Sequence, residues 1–310
     1  MKKVFIDGSA GTTGLRIYER LEARSDISLI KLPEEKRKDL NARKEAINSA
    51  DIVFLCLPDD AARESVSLLE NENTVVLDTS TAHRTEAGWT YGFPEIKKDI
   101  ENALPTAKKI AVPGCHASGV IALVYPLIEA GILKKDALLS VTSVTGYSGG
   151  GKKMIAEYEA DEIDPLLTAP RQYALSQTHK HLKEISAVTT LENIPAFSPI
   201  VSDFYSGMCV TVPVFSSQLC NGKTVDDIKE VYKNKFVGPV VKYNDEADEA
   251  GFLSAVALSG FDSMEIAVFG NEDRILLAAR YDNLGKGASG AAVECMNIVM
   301  GVDPTTGLNI

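Results

Sequence analysis

The chain has 310 residues, 45% hydrophobic and 24% charged, a globular composition long enough for two domains or one large α/β domain. Its formal net charge of -11 repels nucleic acid and anionic membranes at long range, yet leaves room for a local basic pocket holding a small anion. Five scattered cysteines with no CxxC pair suggest neither a disulfide framework nor a zinc site, and fit a reducing cytoplasm.

The first apolar run, Val4 to Ile6, is interrupted by Asp7 and lacks the core of a signal peptide; no run approaches bilayer length. Residues 3–8 read as a buried strand that breaks at Gly8. Residues 12–24 read as a helix, with Leu15, Tyr18 and Leu21 at helical spacing. The join, "GSAGTTG", places Gly8, Gly11 and Gly14 where a tight turn, a close-approaching pyrophosphate and a helix packed on a strand each need a missing side chain. The helix start offers free N–H groups, and Ser9, Thr12 and Thr13 add hydroxyls, so the loop is expected to bind a dinucleotide. A second strand spans 27–32. Near its end, Glu34 and Glu35 suit the ribose hydroxyl of NAD, whereas Lys36, Arg37 and Lys38 suit the 2′-phosphate of NADP; the pattern leaves both open.

Residues 36–50 read as a polar helix or loop, and the apolar segments 51–58, 74–80 and 108–112 complete five strands separated by helices or crossovers. This alternation predicts a doubly wound parallel sheet, a Rossmann arrangement. Further on, segments 137–148, 205–215, 265–271 and 274–283 alternate partially and predict an α+β domain with an antiparallel or mixed sheet, the last two strands joined by a hairpin turn at 270–273. The segment 287–301 reads as a small-residue helix with Ala291, Cys295, Ile298 and Val299 on one side, returning to the first domain. The expected division is a dinucleotide-binding domain, 1–114 with 285–310, and a catalytic and oligomerisation domain, 115–284.

At that boundary "AVPGCHASG" puts Cys115 after a strand and at the opening of a helix whose Val120, Val124, Leu127 and Ile128 form an apolar stripe. A thiol in the first turn of an anchored helix feels the positive end of its dipole, which favours the thiolate. The alternative is a buried structural cysteine, the fate that Cys56 and Cys295 resemble. An acid/base partner must come from His83, His116, His179 or His181. Consecutive helical residues diverge by about 100°, which disfavours His116 as the direct partner of Cys115. His179 and His181 sit at the expected start of a helix, where two positions apart they face different ways, so one serves the chemistry. No carboxylate or cysteine cluster accompanies this HxH, and no metal is expected. Arg84, Arg171 and Lys152 or Lys153 are candidates for a substrate phosphate or carboxylate, against the alternative of solvated surface charge. The glycines of "SGGGKK" would let N–H groups converge on an anion.

Together "GSAGTTG", "DTSTAHR" (78–84), "YGFPEI" (91–96), "VPGCHASG", "GYSGGGKK" (146–153), "YALSQTHKHLKEI" (173–185), "YSGMCVTVPV" (205–214) and "YDNLGKGASGAAV" (281–293) make the chain resemble the short-form N-acetyl-gamma-glutamyl-phosphate reductases along nearly its whole length. The resemblance implies a glyceraldehyde-3-phosphate-dehydrogenase-like architecture, NADPH as reductant, and a homo-oligomer, commonly a tetramer. It implies Cys115 as nucleophile, His179 or His181 as acid/base with His179 preferred, and Asn283 near the nicotinamide. One position departs: the family has tyrosine after the cysteine, where this chain has His116. The implied reaction is reductive dephosphorylation of N-acetyl-L-glutamyl 5-phosphate in arginine biosynthesis. Two other readings stand beside it: the same chemistry on N-acetyl-aminoadipyl or aspartyl phosphate, and a dinucleotide-binding redox sensor whose cysteine never turns over.

Overall fold

The computed structural model describes residues 1–310, which divide into two compact units: Met1–Gly114 with Ala288–Leu308, and Cys115–Gly287 with Asn309–Ile310. The first unit runs β1 (Lys2–Asp7), α1 (Thr12–Glu22), β2 (Ile27–Ile30), α2 (Leu40–Ser49), β3 (Ile52–Leu55), α3 (Asp59–Ser67), β4 (Val75–Asp78), β5 (Thr90–Tyr91), α4 (Lys98–Ala103) and β6 (Lys109–Ala111). All six strands pair in parallel in the order β2-β1-β3-β4-β6-β5. The order reverses direction at β1, so a crevice opens beyond the carboxyl ends of β1 and β3.

The uninterrupted apolar strands are explained by burial on both faces. Val4, Ile6, Phe54 and Leu77 meet Ile17 and Leu21 of α1, together with Ala291, Ala292, Cys295 and Met296 of the last helix, Gly290–Met300. Phe5, Val53, Leu55 and Val76 meet Ala46 and Ile47 of α2 and Ala62 of α3 on the other face. Each buried Val, Ile, Leu, Phe or Met side chain among them contributes about 1.5–3 kcal/mol on leaving water. The spacing read for α1 is corrected: Leu15 is 46% exposed, and Gly14, Ile17 and Leu21 form its buried face. Gly14 lies so close to the Gly8 carbonyl that no side chain would fit, a kind of contact that a search for large apolar residues overlooks.

The second unit runs α5 (Cys115–Glu129), β7 (Ser140–Gly146), α6 (Gly151–Tyr158), β8 (Arg171–Gln172), α7 (His181–Thr189), β9 (Ala196–Ser202), β10 (Met208–Phe215), α8 (Val225–Lys235), β11 (Val241–Tyr243), β12 (Met264–Gly270) and β13 (Arg274–Tyr281); the last helix of the chain is α9. Its seven-stranded sheet has the order β11-β12-β13-β10-β7-β9-β8 and is mixed: β7 with β9 and β11 with β12 are parallel, the other neighbours antiparallel. The β12–β13 hairpin turns at 270–273, where Gly270 takes φ +101° and Asn271 N–H donates to the Arg274 carbonyl. β7 and β9 alternate buried with partly exposed positions, the signature of a sheet with one open face.

Helix α5 is corrected in kind. The expected stripe is part of a helix in which every residue from His116 to Val124 is buried, as are Pro126, Leu127 and Ile128. It packs against α7, α8, β10 and β13. α9 begins one irregular turn later than expected, because residues 285–289 form a π turn. No helix is long and apolar enough to cross a membrane.

Candidate active site

The glycine loop follows β1 at the crevice. Gly8 has φ +87°, and a Cβ there would lie 2.3 Å from the Cys56 carbonyl oxygen; a Cβ on Gly14 would lie 2.4 Å from the Gly8 carbonyl oxygen. Both positions therefore require glycine, and the result is a loop folded tightly onto β3 and α1. Gly11 caps α1, with no side chain accepting from the first turn, and the Thr12 hydroxyl is buried without a hydrogen-bond partner. Unsatisfied donors at a helix start suit a phosphate, so these residues fit a dinucleotide pyrophosphate. Ser9 and Thr13 flank the loop half-buried. The nearby Asp7 carboxylate is already engaged by the Arg43 guanidinium at 3.1 Å and the Ser65 hydroxyl at 2.8 Å, which moderates its repulsion of an anion.

Arg37 follows a short turn, Glu34–Lys36, and is exposed without an ion pair, as are Lys36 and Lys38. This trio is available for a 2′-phosphate. Arg84 donates to the carbonyls of Val112 and Thr79, both at 2.9 Å, so its visible role is to hold the chain beyond β4 and β6.

In the second unit, Cys115 is the first residue of α5 and is half-buried. Its carbonyl accepts the Tyr281 hydroxyl at 2.6 Å, and the Tyr281 oxygen accepts Gly119 N–H at 3.1 Å. Gly287 approaches so closely that a Cβ there would lie 3.1 Å from that of Cys115. Two other thiols are held protonated: burial pushes Cys56 up to about 12 and Cys209 up to about 11.

The three histidines of this unit converge. The His179 and His181 rings are 4.7 Å apart, and each lies 5.6 Å from His116. The expectation that His179 and His181 diverge on a helix is corrected: α7 begins at His181, and His179 lies before it on the connecting turn. There His179 Nδ1 accepts the backbone N–H of His181 at 3.2 Å, which leaves the proton of the neutral ring on Nε2. Burial first, then Lys180, lowers the His179 pKa; burial first, then His179, pushes His116 down to about 3. Both rings are neutral near pH 7.

Two site residues escaped the sequence reading. Tyr173 and Ser143 flank His116, each 2.6 Å from a ring nitrogen. Tyr173 lies within one of the quoted motifs, but only the fold brings it to His116; Ser143 reads as an ordinary strand residue. Arg171 donates to the Tyr158 hydroxyl at 3.0 Å, and its Nε is buried without a partner. Lys152 and Lys153 are exposed on α6, where Lys153 is 4.0 Å from Glu157. Asn283 is buried, accepting Gly207 N–H at 2.9 Å and donating to the Ser148 hydroxyl at 3.0 Å, so it ties two loops together.

Residues 3–103 match the family model described as the semialdehyde dehydrogenase NAD binding domain, and 115–283 match the one described as the semialdehyde dehydrogenase dimerisation domain. N-acetyl-gamma-glutamyl-phosphate reductase 2 of a Nostoc species is 42% identical, over 99% of both chains. The N-acetyl-gamma-glutamyl-phosphate reductase of Brucella ovis is 44% identical, over 96% of this chain and 99% of its own. In fold, the chain is similar to aspartate semialdehyde dehydrogenase II of Vibrio cholerae, with a TM-score of 0.72, 15% identity, and coverage of 97% and 99%. The chain belongs to the semialdehyde dehydrogenase family and, within it, to the N-acetyl-gamma-glutamyl-phosphate reductases.

Proposed function

We propose that the chain is an NADPH-dependent reductase that converts N-acetyl-L-glutamyl 5-phosphate to N-acetyl-L-glutamate 5-semialdehyde and inorganic phosphate, as a step of arginine biosynthesis. The observation that carries the reading is Cys115, half-buried at the first position of a helix whose next nine residues are buried, in a unit that also gathers His179 and His181. At the start of α5 the peptide dipoles favour the thiolate, and the sulfur attacks the acyl carbon. The C–S bond forms as the carbon–oxygen bond to phosphate breaks, leaving a thioester on Cys115. A dinucleotide held by the glycine loop would supply hydride to this thioester, and breaking the C–S bond then returns the thiolate to Cys115. His179, neutral with its proton on Nε2, is the preferred donor to oxygen during these steps, with His181 beside it. Backbone N–H groups of the first turn of α5 support the oxyanion.

Gly8, Ser9, Gly11, Thr12, Thr13 and Gly14 hold the pyrophosphate, and Arg37 the 2′-phosphate. Asn283 orients the nicotinamide side by keeping its two loops in place. Arg171 is the best-supported substrate anchor, because its buried Nε has a hydrogen to donate and no acceptor; Lys152 and Arg84 are secondary. In this reading the two units are the dinucleotide-binding and catalytic domains. The enzyme is a cytoplasmic homo-oligomer, a tetramer being favoured; the match to a dimerisation domain and the five free cysteines support this.

The test is phosphate-dependent oxidation of the semialdehyde with NADP, followed by NADPH absorbance, with aspartate semialdehyde and N-acetyl-aminoadipate semialdehyde in parallel. N-acetylglutamate semialdehyde is expected to be the preferred substrate, and Cys115→Ser to lower turnover by about a thousandfold or more. Retained oxidation in Cys115→Ser removes the thioester mechanism; wild-type dinucleotide binding without turnover on any of the three removes the enzyme reading.

A further inference from the structure

His116 is not idle beside the nucleophile. It is 3% exposed, and both ring nitrogens contact hydroxyls at 2.6 Å: Nδ1 with Ser143 and Nε2 with Tyr173. A neutral imidazole has one donor and one acceptor, so two tautomers are available. Ser143 chooses between them. It has no exposed surface, and the ring is the only hydrogen-bond partner of its hydroxyl. If Ser143 accepted from Nδ1–H, its own proton would be left buried without an acceptor, a costly state. Ser143 therefore donates to Nδ1, the ring proton resides on Nε2, and Nε2–H donates to the Tyr173 oxygen.

That assignment leaves the phenolic proton of Tyr173 uncommitted to His116. Burial first, then the charge of Cys115, raises the Tyr173 pKa, which keeps the phenol protonated, and its bond to the His116 ring holds it against the residue that directly follows Cys115. We infer that His116 is a positioning residue: through Nε2–H it fixes Tyr173 as a hydrogen-bond donor facing the charge that forms at Cys115. The inference rests on the reading of Cys115 as a nucleophile. The other titratable groups around this position are His179, 6.0 Å ring to ring from Tyr173, His181, and Tyr281 on the Cys115 carbonyl.

The experiment uses the full chain and measures iodoacetamide alkylation of the Cys115 peptide against pH by mass spectrometry, alongside turnover. Tyr173→Phe removes only the hydroxyl, and His116→Phe removes both ring hydrogen bonds. His116→Gln restores an N–H near the Nε2 position. A donor to a thiolate lowers its pKa, so the alkylation midpoint is expected to rise by about one pH unit in Tyr173→Phe and His116→Phe. His116→Gln is expected to recover most of that shift, and kcat to fall more than KM changes in the two phenylalanine variants. The inference is overturned if folded Tyr173→Phe keeps the wild-type midpoint, or if His116→Gln is no closer to wild type than His116→Phe. Absence of wild-type turnover with the midpoints shifted as stated sinks the substrate reading and leaves this inference standing; normal turnover with coincident midpoints does the reverse.

Discussion

Replacing Gly119 by alanine sets two magnitudes against each other. Gly119 lies inside α5, where helix propensity alone favours alanine by about 1 kcal/mol. A methyl group there, however, would stand 2.6 Å from the Tyr281 hydroxyl oxygen and 2.7 Å from Cγ2 of Val210. Neither neighbour has room to withdraw, because both have no exposed surface, and the Tyr281 hydroxyl bridges Gly119 N–H and the Cys115 carbonyl. Overpacking costs about 1–3 kcal/mol, and a displaced buried hydroxyl about 1–3 more. Packing wins, and the net loss is about 1–5 kcal/mol. The assay is the urea midpoint of the full chain, repeated in a Tyr281→Phe background that removes the obstructing oxygen. The cost should be smaller there, with only the Val210 contact remaining. A neutral or stabilising Gly119→Ala would refute the reasoning, as would equal costs in the two backgrounds.

Acidification offers a second test. Burial pushes the folded His116 ring down to about 3 from its ordinary 6.5, so the unfolded chain takes up its proton first as pH falls. The contribution is fully present above pH 6.5 and is lost progressively from there toward pH 3, about 2 kcal/mol being lost by about pH 5. His116→Phe removes this linkage, so its urea midpoint should move less than that of wild type between about pH 8 and about pH 5; equal movements would contradict a buried neutral ring. Gly8→Ala should weaken NADPH binding at least tenfold, on the order of 1.4 kcal/mol, because it forces a methyl group 2.3 Å from the Cys56 carbonyl in a left-handed conformation. Fluorescence titration of NADPH measures it, and an unchanged Kd would show that the loop does not hold the cofactor.

Legibility in the sequence differs sharply between the two units. The parallel sheet was readable because β1, β3 and β4 are buried on both faces and therefore appear as plain apolar runs. The glycine loop was readable because chain neighbours make it: Gly8, Gly11 and Gly14 act on one another within seven residues. In the second unit β9 pairs in parallel with β7 although some fifty residues lie between them, and nothing local announces that partner. The same limit hid the environment of Cys115. Segment 173–181 approaches α5 only because α7 packs against that helix, so Tyr173, His179 and His181 reach His116 through long-range contacts.

What the sequence determined by itself is therefore everything set by neighbours along the chain: strand and helix periods, the loop that demands glycine, and a cysteine at the opening of a helix. The tertiary structure decided which side chains meet, that α5 is buried on every side, and which nitrogen of His116 carries the proton. The physical reason is that burial and hydrogen-bond satisfaction depend on atoms brought together from distant segments. The proton on His116 is placed by a serine hydroxyl 27 positions away in the chain that has no other acceptor.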